Sequence, residues 1–290
     1  MRERFWRKSI PYLFLLPQLI LVGAFALYPF IYNIILSFQK FSLTGSKFVG
    51  LQNYRELFQD RIFWTTLKNT LHYTLGTVPL TTLLALLAAI GLNQKIRGRA
   101  IYRTAYLFPN LISWVVIGLI WQWMYSVDYG FFNQILRRLG FSEVKWLLNP
   151  KLTIPSIVVA SVWHDLGYYM VILLAGLQSI SESYYEAASI DGANTWQKFK
   201  SITLPLLRPM LFIVFVLSMI NSFKVFDQIY VMTNGGPGRA SLMIVNYIIS
   251  VALEEMKLGY ASTISVILFI VIFVLTIIQK MIFKDKELEG

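Results

Sequence analysis

Polar side chains recur at helical spacing inside two strongly apolar stretches, and they are the residues best placed to do chemistry. At positions i, i+3, i+4 and i+7, one face of the first stretch carries Ser161, His164, Asp165 and Tyr168. On the second stretch, one helix face carries Ser218, Asn221 and Ser222. Hydroxyl, amide and carboxylate groups hydrogen-bond a polyhydroxylated ligand, and Trp163 or Tyr168 would stack on its apolar face.

Both polar faces lie at the same predicted depth. At 1.5 Å per residue, Asp165 and Ser218 both fall near the membrane midplane, which predicts a substrate pathway between the two helices. The alternative is that these serines and Asn221 bond neighbouring helices without touching a ligand. Lys224 and Asp227, one turn apart, are interpreted as an ion pair, although Lys224 could instead reach Asp165 or an anionic substrate.

Catalytic motifs are absent from the sequence. It has no G-x-x-x-x-G-K-[ST], no HExxH and no nucleophile elbow. The two histidines are His72 and His164, too far apart in sequence to indicate a metal site, and there are no cysteines. We therefore predict that the chain is not an enzyme and binds no metal.

Composition places these residues in a membrane protein. The 290 residues are 56% hydrophobic and 14% charged, against about a quarter charged in soluble domains. Several apolar runs exceed the roughly 20 residues that cross a bilayer. The net charge of +11 then indicates contact with membrane lipid and not with nucleic acid, because no nucleic-acid-binding motif accompanies it.

An all-α fold with six transmembrane helices is the most economical arrangement. The predicted spans are about 10–38, 69–92, 104–125, 154–180, 206–232 and 258–282. The run 241–257 is either a half-length helix or a continuation toward span 6. Within the polar segment after span 1, Asn53 is expected to cap a short helix over 54–59, and residues 130–140 are expected to form an amphipathic surface helix.

Loop charges predict the orientation. The short loop 93–103 carries Lys95, Arg97, Arg99 and Arg103 without an acid, which marks it as cytoplasmic. With six spans, both termini are then cytoplasmic.

The segment 184–205, here called the E-A-A segment, is the longest amphiphilic run between two spans. It predicts a helix from about Ser183, closed by Gly192 in a left-handed conformation. Asn194 would cap a second short helix over 195–202. Pro205 and Pro209 would open the next apolar helix, where a missing N–H costs little.

The spacing E-A-A, three residues, G, nine residues, I-x-L-P resembles the membrane subunits of binding-protein-dependent ABC importers. The residues that the resemblance assigns to coupling are Glu186, Ala187, Ala188, Asp191, Gly192, Ile202, Leu204 and Pro205. It implies a cytoplasmic coupling helix between spans 4 and 5 that docks on an ATPase, with Glu186 contacting a basic residue there. It also implies two ATP-binding subunits, which bind the ATP and magnesium that this chain does not, a second permease forming a heterodimer, and an extracytoplasmic binding protein.

The resemblance extends to nearly the whole chain and indicates the cargo. FVGLQNYRELF, TNGGP and GYAS are similar to the first permease of carbohydrate importers for maltose, other oligosaccharides or glycerol phosphate. This implies one permease domain over 1–290, with an importer core at about 69–282, in a bacterial or archaeal cell (inner) membrane. Two alternatives are an ion-coupled secondary transporter using Asp165, Lys224 and Asp227, and an ABC permease for a non-carbohydrate cargo.

Overall fold

A computed structural model describes residues 14–42, 45–94 and 96–284 of the chain. The basic N-terminal residues, Lys95 and the charged C-terminal residues lie outside this range, as does the start of the predicted first span.

The described residues form thirteen α-helices and one two-stranded hairpin. The first part comprises α1 (Phe14–Ser37), β1 (Gln39–Ser42), β2 (Gly45–Phe48), α2 (Gln52–Gln59), α3 (Arg61–Asn93), α4 (Arg99–Leu107), α5 (Trp114–Met124) and α6 (Phe131–Arg138). The second part comprises α7 (Thr153–Gln178), α8 (Glu182–Ile190), α9 (Thr195–Lys198), α10 (Leu204–Phe223), α11 (Asp227–Met232), α12 (Ile244–Ile249) and α13 (Leu258–Lys284).

Five of these helical stretches are long and apolar enough to cross a membrane. They begin at α1, α3, α7, α9 and α13, where α9 runs through a π turn into α10. A sixth span results if α4 and α5, bent by 95° at a short break, count as one. The chain is therefore an all-α, multi-pass membrane protein, as predicted.

Two predicted spans are interrupted. Span 3 breaks at Ile112, which is extended after a 3-10 turn over Phe108–Leu111, and Ser113 caps α5 by accepting from the Val115 N–H at 3.3 Å. Span 5 ends at Phe223, and α11 restarts at Asp227, so the predicted continuous helix over 206–232 is wrong. Residues 244–254 form a short apolar helix, which decides for the half-length alternative.

Of the described residues, those from 14 to 61 and from 248 to 270 form one compact unit. In it, β1 pairs antiparallel with β2, with Gln39 opposite Phe48. Asn53 does not cap a helix, because α2 already begins at Gln52. Its buried amide instead donates to the carbonyls of Ser37 and Gln39, at 2.9 and 3.0 Å, and holds the hairpin against the end of α1.

The GYAS residues have a packing role in the same unit. Tyr260 donates its hydroxyl hydrogen to Asp60 Oδ2 at 2.8 Å. A Cβ at Gly259 would lie 1.8 Å from the Gln39 carbonyl oxygen, so only glycine fits there.

The described residues from 62 to 247 and from 271 to 284 form the second unit, whose core surrounds α7. One apolar cluster includes Ile157, Ile117 and Ile229, and another includes Leu173, Leu207 and Ala89. α7 therefore packs against α5 and α11 at one end and against α3 and α10 at the other.

Candidate functional site

A polar cavity of about 360 Å³ opens in the second unit. Its walls are formed by Tyr73, Thr77, Thr81, Asn110, Trp114, His164, Asp165, Tyr169, Ser218, Asn221, Ser222, Lys224, Val225, Phe226, Asp227 and Gln228. These residues come from α3, α7 and α10, from the bend between α4 and α5, and from the break between α10 and α11. Both breaks thus place irregular backbone at a cavity, where such backbone is tolerated within a membrane.

The His164–Asp165 pair is the most polar feature of the wall. His164 Nδ1 lies 2.6 Å from Asp165 Oδ1, and His164 Nε2 lies 3.2 Å from the Ile112 carbonyl oxygen. The Trp114 ring covers the imidazole at a centroid distance of 4.0 Å. Because a carbonyl only accepts, the contact with Ile112 requires a hydrogen on Nε2, and the contact with Asp165 requires a second hydrogen between Nδ1 and Oδ1; the two contacts together hold the ring in one orientation.

Hydrogen bonds between helices hold the walls of the cavity together. Tyr73 donates its hydroxyl hydrogen to Ser161 Oγ at 2.8 Å and accepts from Gln228 Nε2 at 3.2 Å. Ser222 donates to Thr74 Oγ1 at 3.0 Å. Ser161 and Ser222 thus connect helices, as the alternative in the sequence analysis supposed for such residues.

Most of the predicted pathway residues meet in one place. His164, Asp165, Ser218, Asn221 and Ser222 all line the cavity. Asn221 donates from Nδ2 to the Tyr169 hydroxyl at 3.1 Å, which joins α10 to α7.

Two predicted aromatic residues lie elsewhere. Trp163 is 46% exposed and meets the Trp121 ring edge-on, and Tyr168 is 41% exposed beside Tyr169. Neither side chain lines the cavity: Trp163 lies on the opposite side of α7 from His164 and Asp165, and Tyr168 lies about one turn further along the helix and packs against the Tyr169 ring. Trp114 and Tyr169 supply the aromatic surface instead.

The predicted ion pair between Lys224 and Asp227 does not form. Both residues are described, and their charged groups are not within salt-bridge distance of each other. Lys224 follows the last residue of α10 and Asp227 begins α11, so the break between the helices separates them. Both are exposed on the cavity wall. Within the described residues, no group of three His, Cys, Asp or Glu side chains could hold a metal ion.

The E-A-A segment folds into two short helices with a sharp turn. α8 starts at Glu182, one residue before the predicted start, so Glu186 lies in its second turn. Gly192 has φ of +78°, and the Ala193 N–H donates to the Ala188 carbonyl at 2.8 Å, which closes the helix. Pro209 lies inside α10, whereas Pro205 is at its start.

Side-chain hydrogen bonds cap α9 and connect α8 to the residues that follow it. Asn194 Oδ1 accepts from the Gln197 N–H at 2.9 Å, and Gln197 Oε1 accepts from the Asn194 N–H at 2.7 Å, a reciprocal cap of α9. Lys198 donates from Nζ to Ser189 Oγ at 2.6 Å. Tyr185 and Thr203 share a hydroxyl–hydroxyl hydrogen bond of 2.9 Å.

The eight predicted coupling residues divide by exposure. Those on the surface are Glu186, Ala187, Asp191 and Gly192, and those half-buried are Ala188, Ile202, Leu204 and Pro205. Two large apolar side chains on the same segment are also exposed: Ile190 by 87% and Trp196 by 68%. Neither residue occupies a position of the E-A-A motif, so the motif alone does not single them out.

Sequence comparison gives a consistent set of relatives. Residues 81–287 match the family described as binding-protein-dependent transport system inner membrane component. The chain is 38% identical over 276 residues to the trehalose/maltose transport system permease protein MalF of Thermococcus litoralis, covering 93% of this chain and 92% of that one. It is also 38% identical over 282 residues to the arabinooligosaccharides transport system permease protein AraP of Bacillus subtilis, covering 96% and 90%.

A solved structure has the same fold. The chain matches, with a TM-score of 0.87 and 23% identity, a chain of a bacterial alginate ABC transporter in complex with an alginate pentasaccharide-bound periplasmic protein. The match covers 100% of this chain and 99% of that chain.

Proposed function

Since the chain belongs to the family of binding-protein-dependent transport system inner membrane components, we propose that it is one permease subunit of an ATP-driven sugar or oligosaccharide importer. One observation carries this proposal: the polar cavity and the E-A-A segment are built on the same two helices. α7 bears His164 and Asp165 and leads into α8, and α10 follows the segment and bears Ser218 and Asn221. Displacement of the segment would therefore move two walls of the cavity directly.

The cavity suits a polyhydroxylated cargo. Amide, hydroxyl and carboxylate groups converge on it, and Trp114 and Tyr169 offer aromatic surface to a sugar ring. The permeases MalF and AraP are named for trehalose/maltose and for arabinooligosaccharides, which supports a sugar, an oligosaccharide or a related polyol or glycoside as cargo.

Coupling would use the exposed surface of the E-A-A segment. Glu186 would contact a basic residue of an ATPase subunit, while Ile190 and Trp196 would supply apolar area, as exposed apolar patches do at interfaces. ATP and magnesium would bind to two partner ATPase subunits, which perform the hydrolysis. Transport then requires that the two access states bind ATP and cargo differently.

Further partners complete the proposed assembly. A second permease of the same family would form a heterodimer with this chain, and an extracytoplasmic binding protein would deliver the cargo. The solved alginate transporter is in complex with a periplasmic protein, which supports the latter. We place the chain, as one permease domain, in a bacterial or archaeal cell membrane with both termini cytoplasmic.

Co-purification with ATPase measurement tests the proposal. The chain is co-expressed with the second permease and the ATPase subunits, and hydrolysis in lipid is compared with and without loaded binding protein. We expect Glu186→Lys to lower stimulated hydrolysis at least about tenfold, or to release the ATPase, because it puts two like charges at the interface. Glu182→Lys, the same charge change on the same helix outside the motif, should keep both properties.

Two results would contradict the proposal. Glu186→Lys that behaves like Glu182→Lys would make Glu186 a surface acid without a coupling role. Solute uptake by this chain alone, driven by an ion gradient and without ATPase, would support the secondary-transporter alternative instead.

A further inference from the structure

We infer that α3 forms a third wall of the substrate site, where the hydroxyls of Thr77 and Thr81 bind hydroxyl groups of the transported sugar. The inference rests on the proposed import of carbohydrate. It adds a helix that lies outside both the two polar faces and the E-A-A segment.

A row of buried threonines runs along one face of α3. Its members, spaced three or four residues apart, are Thr66, Thr70, Thr74, Thr77 and Thr81. The first three have partners: Thr66 donates to the Phe63 carbonyl, Thr70 to the Thr66 carbonyl, and Thr74 accepts from Ser222. Along the row, the threonine hydroxyls have hydrogen-bond partners up to Thr74, and the two that follow line the cavity.

The two remaining hydroxyls are buried and unsatisfied. Thr77 and Thr81 are 5% and 0% exposed and both line the polar cavity; among the described residues neither Oγ1 atom has a hydrogen-bond partner within 3.5 Å, and Thr77 has the Tyr73 hydroxyl as a more distant polar neighbour. Buried polar atoms are nearly always paired, so an unpaired one at a cavity points to a partner that arrives from the cavity. Two such atoms one turn apart on one wall indicate a bound ligand with several hydroxyl groups.

The threonine hydroxyls of α3 indicate which class of ligand the site would bind. A threonine hydroxyl both donates and accepts, and so does each sugar hydroxyl, so either bond direction can be satisfied. An aliphatic ligand of equal size would leave both threonine hydroxyls unpaired, and sites built in this way reject such analogues strongly. α3 would thus help to discriminate sugars from apolar compounds.

The test substitutes valine, which keeps the shape of threonine and removes the hydroxyl. Thr77→Val, Thr81→Val and the double variant are made in the complete complex with the second permease, the ATPase subunits and the binding protein. Proteoliposome uptake of labelled maltose, trehalose and arabinotriose is measured together with ATP hydrolysis. Thr82→Val is the matched control, because Thr82 is buried and unpartnered in the described part of the chain but lies outside the cavity.

For each single variant we expect the sugar imported per ATP hydrolysed to fall about three- to tenfold, the value of one hydrogen bond. The double variant should fall further, and Thr82→Val should match the wild type. None of the variants should lower the thermal unfolding temperature without sugar, because no existing bond is lost.

Three results would overturn the inference. Uptake per ATP in Thr77→Val and Thr81→Val equal to that in Thr82→Val would show that the hydroxyls do not contact the cargo. A lower unfolding temperature with an unchanged ratio would make them structural. Uptake by the wild-type complex of a non-carbohydrate solute, with none of the three sugars imported, would refute carbohydrate import itself, and it would be seen before any variant is compared.

Discussion

At the scale of single residues, Asp165 is the group on which the cavity depends most. Its carboxylate is held by His164 at 2.6 Å, and its side chain is 24% exposed, toward the cavity. In the proposed site, a hydroxyl of the cargo donates a hydrogen bond to the Asp165 carboxylate, and a hydrogen bond to a charged group is worth about 1.5–3 kcal/mol. Asp165→Asn removes the charge and should therefore reduce import by about ten- to a hundredfold. Uptake and assembly are measured together, and the assembled complex should form normally.

Glu143→Gln provides the comparison for Asp165→Asn. The carboxylate of Glu143 likewise has a nitrogen partner, Arg137 at 2.6 Å, but both side chains are about 40% exposed and lie outside the cavity. Surface pairs contribute about 0–1 kcal/mol, so import should be unchanged. Equal uptake by the two variants would remove Asp165 from the site.

The site could be predicted in part because polarity within an apolar helix is visible in sequence. His164, Asp165 and Asn221 stand out in that way, and the structure brings them together. Thr77 and Thr81 do not stand out in the sequence, because threonine is common in membrane spans, where its hydroxyl usually donates to a backbone carbonyl of its own helix. Tyr73 and Tyr169 were missed for a similar reason: periodicity gives the face of a helix but not the arc that a cavity occupies.

At the scale of elements, glycine at position 167 determines how closely α7 approaches α4. A Cβ there would lie 1.9 Å from the Tyr106 carbonyl oxygen, which is backbone and cannot move aside. Gly167→Ala should lower the free energy of unfolding by about 1–3 kcal/mol or prevent assembly, as overpacking does. Thermal unfolding of the purified chain measures the change.

Gly91→Ala is the matched control for this packing contact. Gly91 lies in α3, with no atom within 4 Å of an added Cβ. Alanine should therefore leave stability unchanged or raise it by about 0.5–1 kcal/mol. Similar losses in both variants would mean that the contact with Tyr106 does not set the effect.

The hydrogen bond between Tyr185 of α8 and Thr203, just before α10, is here called the clamp, and it leads to a second prediction at the scale of elements. Tyr185→Phe removes the hydroxyl bonded to Thr203 but keeps the ring. Losing about 1 kcal/mol should loosen the E-A-A segment and lower binding-protein-stimulated hydrolysis several-fold, while unstimulated hydrolysis persists. Tyr184→Phe removes an adjacent, exposed tyrosine hydroxyl and should have no effect, so equal losses would refute the clamp.

Element boundaries show where sequence patterns stop being informative. Hydropathy located α7 to within two residues, and Gly192 and Asn194 were correctly predicted to end and cap helices. It did not show the bend between α4 and α5, since both halves are equally apolar. Such breaks depend on tertiary packing that supplies partners for the freed backbone groups, which no local pattern encodes.

At the scale of the whole molecule, orientation across the membrane connects charge with mechanism. Arg97, just before α4, and Arg99 and Arg103, within it, predict that this stretch is cytoplasmic. A single crossing of the membrane by α7, between the loop containing Ser142 and the π turn containing Ser201, would place these two exposed serines on opposite sides. The proposed ATPase contact requires Ser201 to be inside.

Labelling of single cysteines measures this orientation without further engineering, because the chain has no cysteine of its own. A membrane-impermeant maleimide added to spheroplasts should label Ser142→Cys and not Ser201→Cys, and it should label both after lysis. The cysteine-free chain gives the background. Labelling of Ser201→Cys from outside would put the E-A-A segment beyond the reach of ATP, because ATP is available only in the cytoplasm, and the coupling mechanism would then fail whatever the cargo.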